Sequence, residues 1–90
     1  MIIAHDLGTS GNRASLHDEA GRIVATCTMS YPTCFAADWV AEQNPDDWWR
    51  AIGAASRHLL SQAGVSGSRI QAVALSGQMM GAVLLDGAQA

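Results

Sequence analysis

The residues best suited to chemistry are concentrated near the start of the chain, in the stretch IIAHDLGTSGNR at residues 2–13. An apolar run ends in a single acid, Asp6, and a turn rich in hydroxyls and glycines follows, with Thr9 and Ser10 at its centre. Small residues let backbone N–H groups converge on an anion, and the nearby Arg13 adds positive charge. Asp6 repels a bare phosphate, but Mg²⁺ binds one or two carboxylates together with phosphate oxygens. The stretch therefore predicts a clamp for a metal–nucleotide complex.

Two common phosphate loops do not fit this stretch. A Walker loop needs a lysine directly after its glycines, and none is present here. Gly8 and Gly11 are three residues apart and lead into a strand-like pattern, whereas the dinucleotide fingerprint leads into a helix. A simpler interpretation also fits, because an aspartate after a strand often accepts backbone N–H bonds in a plain turn. From spacing alone, the plain turn and the clamp both stay open.

The apolar run at residues 1–6 predicts a short buried strand, and alternating apolar residues predict two more strands, at residues 13–18 and 22–31. The connections between them are short, and Gly21 suits a tight turn, so the three strands should form an antiparallel meander. Residues 32–43 show no clear period and are predicted to be a loop.

A helix is predicted at residues 45–63, because Asn44 can cap it, Pro45 suits its first position, and two acids follow. Gly64 is a natural end. Residues 70–75 are predicted to form a strand covered on both faces, and residues 81–85 one more strand, which gives the order β-β-β-α-β-β. The apolar stripe predicted for the helix comprises Trp48, Ile52, Ala55, Leu59 and Ala63.

The composition of the chain limits which binding partners and which cellular compartment are expected. The 90 residues carry a net charge of −3 and no block of basic residues, so neither nucleic acid nor an anionic membrane surface is predicted as a partner. Cys27 and Cys34 fit free thiols in a reducing compartment, and the cytoplasm is expected. Because 49% of the residues are apolar and only 14% are charged, exposed apolar faces and self-association are also expected.

Three stretches carry a resemblance to a known family: IIAHDLGTSGNRASLHD, DWVAEQNPDDWW and ALSGQMMGAVLLD. In this order and spacing they resemble the N-terminal part of the FGGY carbohydrate kinases, and the xylulokinase-like members in particular. The resemblance implies an α/β fold of the ribonuclease H-like, actin and hexokinase type, with a mixed sheet. It also implies that residues 1–90 form the N-terminal part of the first kinase domain, an incomplete domain, with a C-terminal domain absent from this sequence.

The resemblance assigns roles at the phosphate end of ATP. Asp6 matches the acid of the first phosphate motif, so it is predicted to be the catalytic metal ligand at the Mg²⁺–ATP site. Arg13 matches a position where some members, such as glycerol kinases, place a nucleotide-contacting arginine. The residues predicted to bind the cofactor ATP are Gly8, Thr9, Ser10, Gly11 and Arg13.

The resemblance also assigns a substrate loop. Gln78, Met79 and Met80 match the loop that contacts the sugar, and Met80 replaces the histidine typical of xylulokinases. The function implied is transfer of the γ-phosphoryl of ATP to a ketose or polyol hydroxyl by a longer protein, with the 90 residues inactive alone. The alternative is a non-catalytic remnant or scaffold module that keeps the actin-like core.

Overall fold

The computed structural model describes residues 1–36 and 40–77. In these ranges the strands are β1 (Ile2–Leu7), β2 (Gly11–His17), β3 (Ile23–Ser30), β4 (Cys34–Ala36), β5 (Val40–Glu42) and β6 (Ala72–Gly77). One helix, α1 (Pro45–Ala63), and a 3-10 turn (Gly67–Arg69) lie between β5 and β6 within the described part of the chain. The predicted strand at residues 81–85 falls outside the described residues.

The main sheet has the strand order β3-β2-β1-β6. β1 and β2 pair antiparallel, as do β2 and β3, which confirms the predicted meander. β6 pairs parallel to β1 on the side away from the meander. β6 begins two residues later than predicted, because Ile70 closes the 3-10 turn through its N–H bond to Gly67, and it extends two residues past the predicted end, since Ser76 and Gly77 still pair with Asp6 and Leu7 of β1.

The helix has the predicted bounds, and local chemistry explains both ends. The Asn44 side chain accepts from the Asp46 N–H at 3.0 Å, and Pro45 occupies the first turn, where a missing N–H costs nothing. At the other end Gly64 adopts φ 66°, a left-handed conformation that glycine reaches without strain.

The core lies between α1 and one face of the meander. Ile3 of β1, Leu16 of β2 and Ala25 of β3 point toward the helix, and Leu59 packs against them from α1. The helix stripe differs slightly from the predicted one, since Ile52 is only half-buried. The buried helix residues are Ala51, Ala55 and Leu59.

Two parts of the structure differ from the sequence-based expectation. The predicted loop at residues 32–43 contains the short antiparallel hairpin β4–β5. All six residues of β6 are exposed, so both faces of the strand are open instead of covered. Val73 is 55% and Leu75 63% accessible, both on the face toward the helix. The reason is that α1 packs mainly against β2 and β3, so within the described residues nothing large covers β6. None of the helical structure in residues 1–36 and 40–77 could span a bilayer.

Candidate functional site

Asp6 lies near the carboxyl end of β1, between two neighbouring strands. Its register partners are Arg13 on β2 and Ser76 on β6, and all three are exposed on the sheet face opposite α1. Directly paired residues hold their side chains on the same face about 5 Å apart at Cβ. Among the described residues, the side chains of Asp6 and Arg13 make no hydrogen bond or ion pair. Asp6 is therefore a solvent-facing carboxylate with a cationic side chain beside it.

The turn after β1 is closed by its own first glycine. The Gly8 N–H donates to the carbonyl oxygens of Asp6 at 3.1 Å and of Gly11 at 2.9 Å. Gly8 therefore shapes the turn, and its amide is already occupied. Thr9 and Ser10 are exposed at the tip, and neither their N–H groups nor their hydroxyls have a partner within the described ranges. The tip thus offers two amide donors and two hydroxyls to a ligand.

Gly11 is needed for a close approach between strands. A Cβ at this position would lie 2.8 Å from the carbonyl oxygen of Met29 on β3, closer than real Cβ atoms come to other heavy atoms. The absence of a side chain therefore lets β3 pack directly behind the turn. This contact places Tyr31, the residue just after β3, against the turn.

The carbonyl side of the turn is bonded by three side chains. The Tyr31 hydroxyl contacts the carbonyl oxygens of Gly8 and of Gly11, the latter at 3.2 Å. The Gln43 Nε2 donates to the Thr9 carbonyl at 2.6 Å, and the Thr33 hydroxyl lies 3.4 Å from the same oxygen. Burial, and secondly the Asp6 charge, raise the pKa of the Tyr31 phenol, so this hydroxyl stays protonated as a donor.

The Gln43 amide is oriented by contacts on both of its ends. The indole N–H of Trp48 on α1 donates to Gln43 Oε1 at 2.9 Å, so the NH₂ group must face the turn. That NH₂ also lies 2.6 Å from the Thr33 hydroxyl. The turn at residues 8–11 is thereby connected to the first turn of the helix.

A buried polar network lies behind Asp6, on the helix side of the sheet. His5 is 2% exposed, and its Nδ1 lies 2.9 Å from Asn12 Nδ2, while its Nε2 lies 3.2 Å from Ser56 Oγ on α1. The Asn12 amide donates to Nδ1, so we assign the proton to Nε2. Burial lowers the pKa of His5, and the Asn12 bond opposes this shift only in part. The neutral ring thus ties β1, β2 and α1 together.

The structure brings most of the sequence-predicted site residues to one edge of the sheet. Asp6, Arg13 and the turn at residues 8–11 lie together, and β6 places Ser76 beside Asp6 as expected. Gln78, Met79 and Met80 lie outside the described residues. Sequence reasoning missed Tyr31, Thr33 and Gln43 because their partners are backbone carbonyls far away in the chain.

The side chains around Asp6 determine whether a metal ion could bind there. Within residues 1–36 and 40–77 there is no cluster of three or more His, Cys, Asp or Glu side chains that could hold a metal by themselves. A single carboxylate beside N–H and hydroxyl groups that can bind phosphate suits Mg²⁺, which is usually held by one or two carboxylates plus substrate phosphates and water. Asp6 therefore fits a cation that arrives with its phosphate ligand.

Comparison with known proteins decides the family. Residues 1–90 match the family model described as the FGGY family of carbohydrate kinases, N-terminal domain. The chain belongs to the FGGY family. Its relatives in this family include the xylulose kinase of Escherichia coli, 37% identical over 89 residues that make up 99% of this chain and 18% of that kinase. A glycerol kinase of Rhodospirillum centenum is 32% identical over 94% of this chain and 17% of its own length.

Solved structures of FGGY kinases confirm the fold class. The crystal structure of a xyloylose kinase from Brucella ovis superimposes with a TM-score of 0.87 at 36% identity, covering 96% of this chain and 18% of that one. The α/β fold of actin and hexokinase type, predicted for the N-terminal part of an FGGY kinase, is therefore confirmed. The chain spans less than a fifth of the length of these relatives.

Proposed function

We propose that this chain supplies the metal–phosphate end of the ATP site in a carbohydrate kinase that transfers the γ-phosphoryl group to a ketose or polyol hydroxyl. In this proposal residues 1–90 are the N-terminal part of the first of two kinase domains. The observation that carries the proposal is the placement of the exposed Asp6 carboxylate beside a turn whose tip holds amides and hydroxyls that have no partner in residues 1–36 and 40–77. A carboxylate next to anion-binding donors is what a Mg²⁺–phosphate complex requires.

Each residue of this site has a separate task in the proposal. Asp6 holds Mg²⁺ directly or through water, and the N–H and hydroxyl groups of Thr9 and Ser10 bind phosphate oxygens. Gly8 and Gly11 shape the turn, and Arg13 adds positive charge on the same sheet face. When bound, Mg²⁺ neutralises phosphate charge that develops during transfer. These residues act by positioning and by electrostatic stabilisation, which dominate phosphoryl transfer.

The acceptor side of the proposal rests on the segment that follows β6. Ser76 lies beside Asp6, so the last described residues of β6 lie at the same edge of the sheet as the turn after β1. Ligands of open α/β sheets bind outside the carboxyl ends of parallel strands. We propose that Gln78, Met79 and Met80 orient the sugar or polyol there. The relatives named xylulose kinase and glycerol kinase support a ketose or a polyol as the acceptor.

A chimeric kinase tests this function. These 90 residues replace the matching N-terminal segment of the Escherichia coli xylulose kinase, and ADP release is measured with MgATP and a panel of ketoses and polyols. We expect sugar-dependent ADP release, and we expect Asp6→Asn to lower kcat by about a hundredfold or more, since it removes the metal's carboxylate. Asp46→Asn is the matched control, because the same change is made at an exposed acid of α1.

The outcomes separate the enzyme from a non-catalytic module. A chimera that melts cooperatively but releases no ADP with any acceptor would support the non-catalytic module. Equal losses in Asp6→Asn and Asp46→Asn would remove the metal role from Asp6. A loss in sugar affinity as large as the loss in kcat would also contradict that role.

A further inference from the structure

All four carbonyl groups of the turn at residues 8–11 are bonded from the protein side. The Tyr31 hydroxyl donates to the first carbonyl and lies 3.2 Å from the fourth. The Gln43 amide and the Thr33 hydroxyl contact the second, and the Tyr31 backbone N–H donates to the third at 3.3 Å. The fourth also accepts from the Gly8 N–H at 2.9 Å. Every oxygen of the turn that would repel an anion is therefore turned toward the protein.

The geometry of the peptide unit gives this arrangement a consequence for ligands. The peptides here are trans, so the C=O and the N–H of one peptide point in opposite directions. Holding the Gly8 carbonyl directs the Thr9 N–H away from Tyr31. Holding the Thr9 carbonyl likewise directs the Ser10 N–H away from Gln43. The two amides without partners among the described residues are thus the ones that these bonds turn outward.

We propose that Tyr31, Thr33 and Gln43 form a carbonyl clamp whose task is to present the Thr9 and Ser10 amides to the phosphate oxygens of ATP. The inference rests on the proposed function and adds three positioning residues to it. In this proposal their contacts are to the turn and not to the nucleotide or the sugar. They act through the backbone of the turn, and the clamp makes an anion-binding nest rigid before the ligand arrives.

The clamp is itself anchored in the helix. Trp48 fixes which end of the Gln43 amide faces the turn, and it is half-buried in α1. Thr33 and Gln43 also stand on the two sides of the β4–β5 hairpin, directly before Cys34 and after Glu42. The turn, the base of the hairpin and the start of the helix therefore form one connected unit.

Kinetics of the chimeric kinase test the clamp. Tyr31→Phe removes one hydroxyl and keeps the ring, and Gln43→Glu replaces the donor by a carboxylate while keeping an acceptor for Trp48. We expect the KM for MgATP to rise about threefold to tenfold in each, with the KM for the sugar unchanged. Gln62→Glu is the matched control for charge, because Gln62 is exposed on the outer side of α1.

A second readout does not depend on activity. The Gly8 N–H is bonded inside the turn, so its hydrogen exchange in the 90-residue chain, measured by NMR, reports how firmly the turn is held. We expect exchange to be about threefold to tenfold faster in Tyr31→Phe and Gln43→Glu than in Gln62→Glu. A purely structural role would instead speed the exchange of core amides on β1 and β2 to the same extent.

Failure of the clamp and failure of the proposed function are distinguishable. An active chimera in which both variants keep the parental KM for MgATP would overturn the clamp and leave the kinase function standing. A rise in both KM values by the same factor would also overturn it. Unchanged Gly8 exchange would overturn it whether or not the chimera turns over sugar.

Discussion

The substitution Gly11→Ala is expected to destabilise the chain through one defined contact. Its new Cβ would lie 2.8 Å from the Met29 carbonyl oxygen, 3.1 Å from the Ser30 Cα and 3.3 Å from the Met29 carbonyl carbon. All three are backbone atoms of the β3 region, so they cannot swing aside as the end of a flexible side chain can. Relief of the contact requires β3 to move away from β2.

The magnitude follows from two opposing terms. Overpacking of this kind costs about 1–3 kcal/mol. Replacing glycine by alanine also restricts the unfolded chain, which returns about 0.4–1 kcal/mol. We therefore expect Gly11→Ala to lower the free energy of unfolding by about 1–2 kcal/mol.

Gly53→Ala is the matched control with the opposite expected sign. Gly53 lies inside α1, and its new Cβ would meet only the tip of the exposed Arg57 side chain, 3.2 Å from Nη1. Alanine is favoured over glycine in a helix interior by about 1 kcal/mol. The same chemical change should therefore stabilise the chain here, and the two variants should differ by about 2–3 kcal/mol.

Urea unfolding, followed by tryptophan fluorescence at low protein concentration, measures the difference. With a slope of about 1–2 kcal/mol per M for a chain of this size, the two midpoints should lie about 1–3 M apart. A Gly11→Ala midpoint at or above that of the parent chain would refute the reasoning, because it would mean that β3 does not lie this close behind the turn.

Three further predictions concern the pH dependence of stability, the N-terminal cap of α1 and the exposed strand β6. Burial lowers the pKa of His5, so the folded chain favours the neutral ring. The stabilisation that this gives is present above pH 6.5 and is lost as the pH falls below that value, because the unfolded chain then binds the proton more readily. Thermal unfolding measured at a series of pH values should show this loss. Asn44→Ala should lower the free energy of unfolding by about 1 kcal/mol in urea, since it removes the acceptor for the Asp46 N–H. The chain should self-associate through the exposed apolar residues of β6, and Leu75→Lys should shift sedimentation toward the monomer.

Each of these predictions has its own control. The paired change His5→Leu with Asn12→Val should flatten the acid loss, and persistence of that loss would contradict the assignment to His5. Asn44→Asp keeps a capping oxygen, so it should retain most of the parental stability. A chain that sediments as a monomer without Leu75→Lys would show that β6 is not the associating surface.

The elements predicted from the sequence are those whose signals are local. β2 is indicated by alternation between adjacent residues, and α1 by its cap, its proline and its terminal glycine. Both elements are confirmed. The β4–β5 hairpin was not predicted, because its two strands have three residues each, too few to show a period. The exposure of β6 was not predicted either, since an apolar run indicates what a strand can bury and not which neighbours are present.

The residues of the candidate site also fall into those that the sequence predicted and those that it did not. Asp6 and the turn after it could be found because acid, glycines and hydroxyls are adjacent in sequence. The bonds from Tyr31 and Gln43 could not be found, because each joins a side chain to a backbone oxygen at least twenty residues away. The His5 network was also hidden, since its partner Ser56 looks like any polar residue of an amphipathic helix.

The parallel pairing of β1 with β6 has a consequence for the order in which the chain folds. The meander joins strands that follow one another directly, whereas the parallel pair joins Ile2 to Ala72 across almost the whole chain. Closing so long a loop is slower than forming hairpins, and during synthesis it must wait until β6 has been made. We therefore expect Asp6 and its turn to take shape beside an open strand edge before Ser76 joins them from β6.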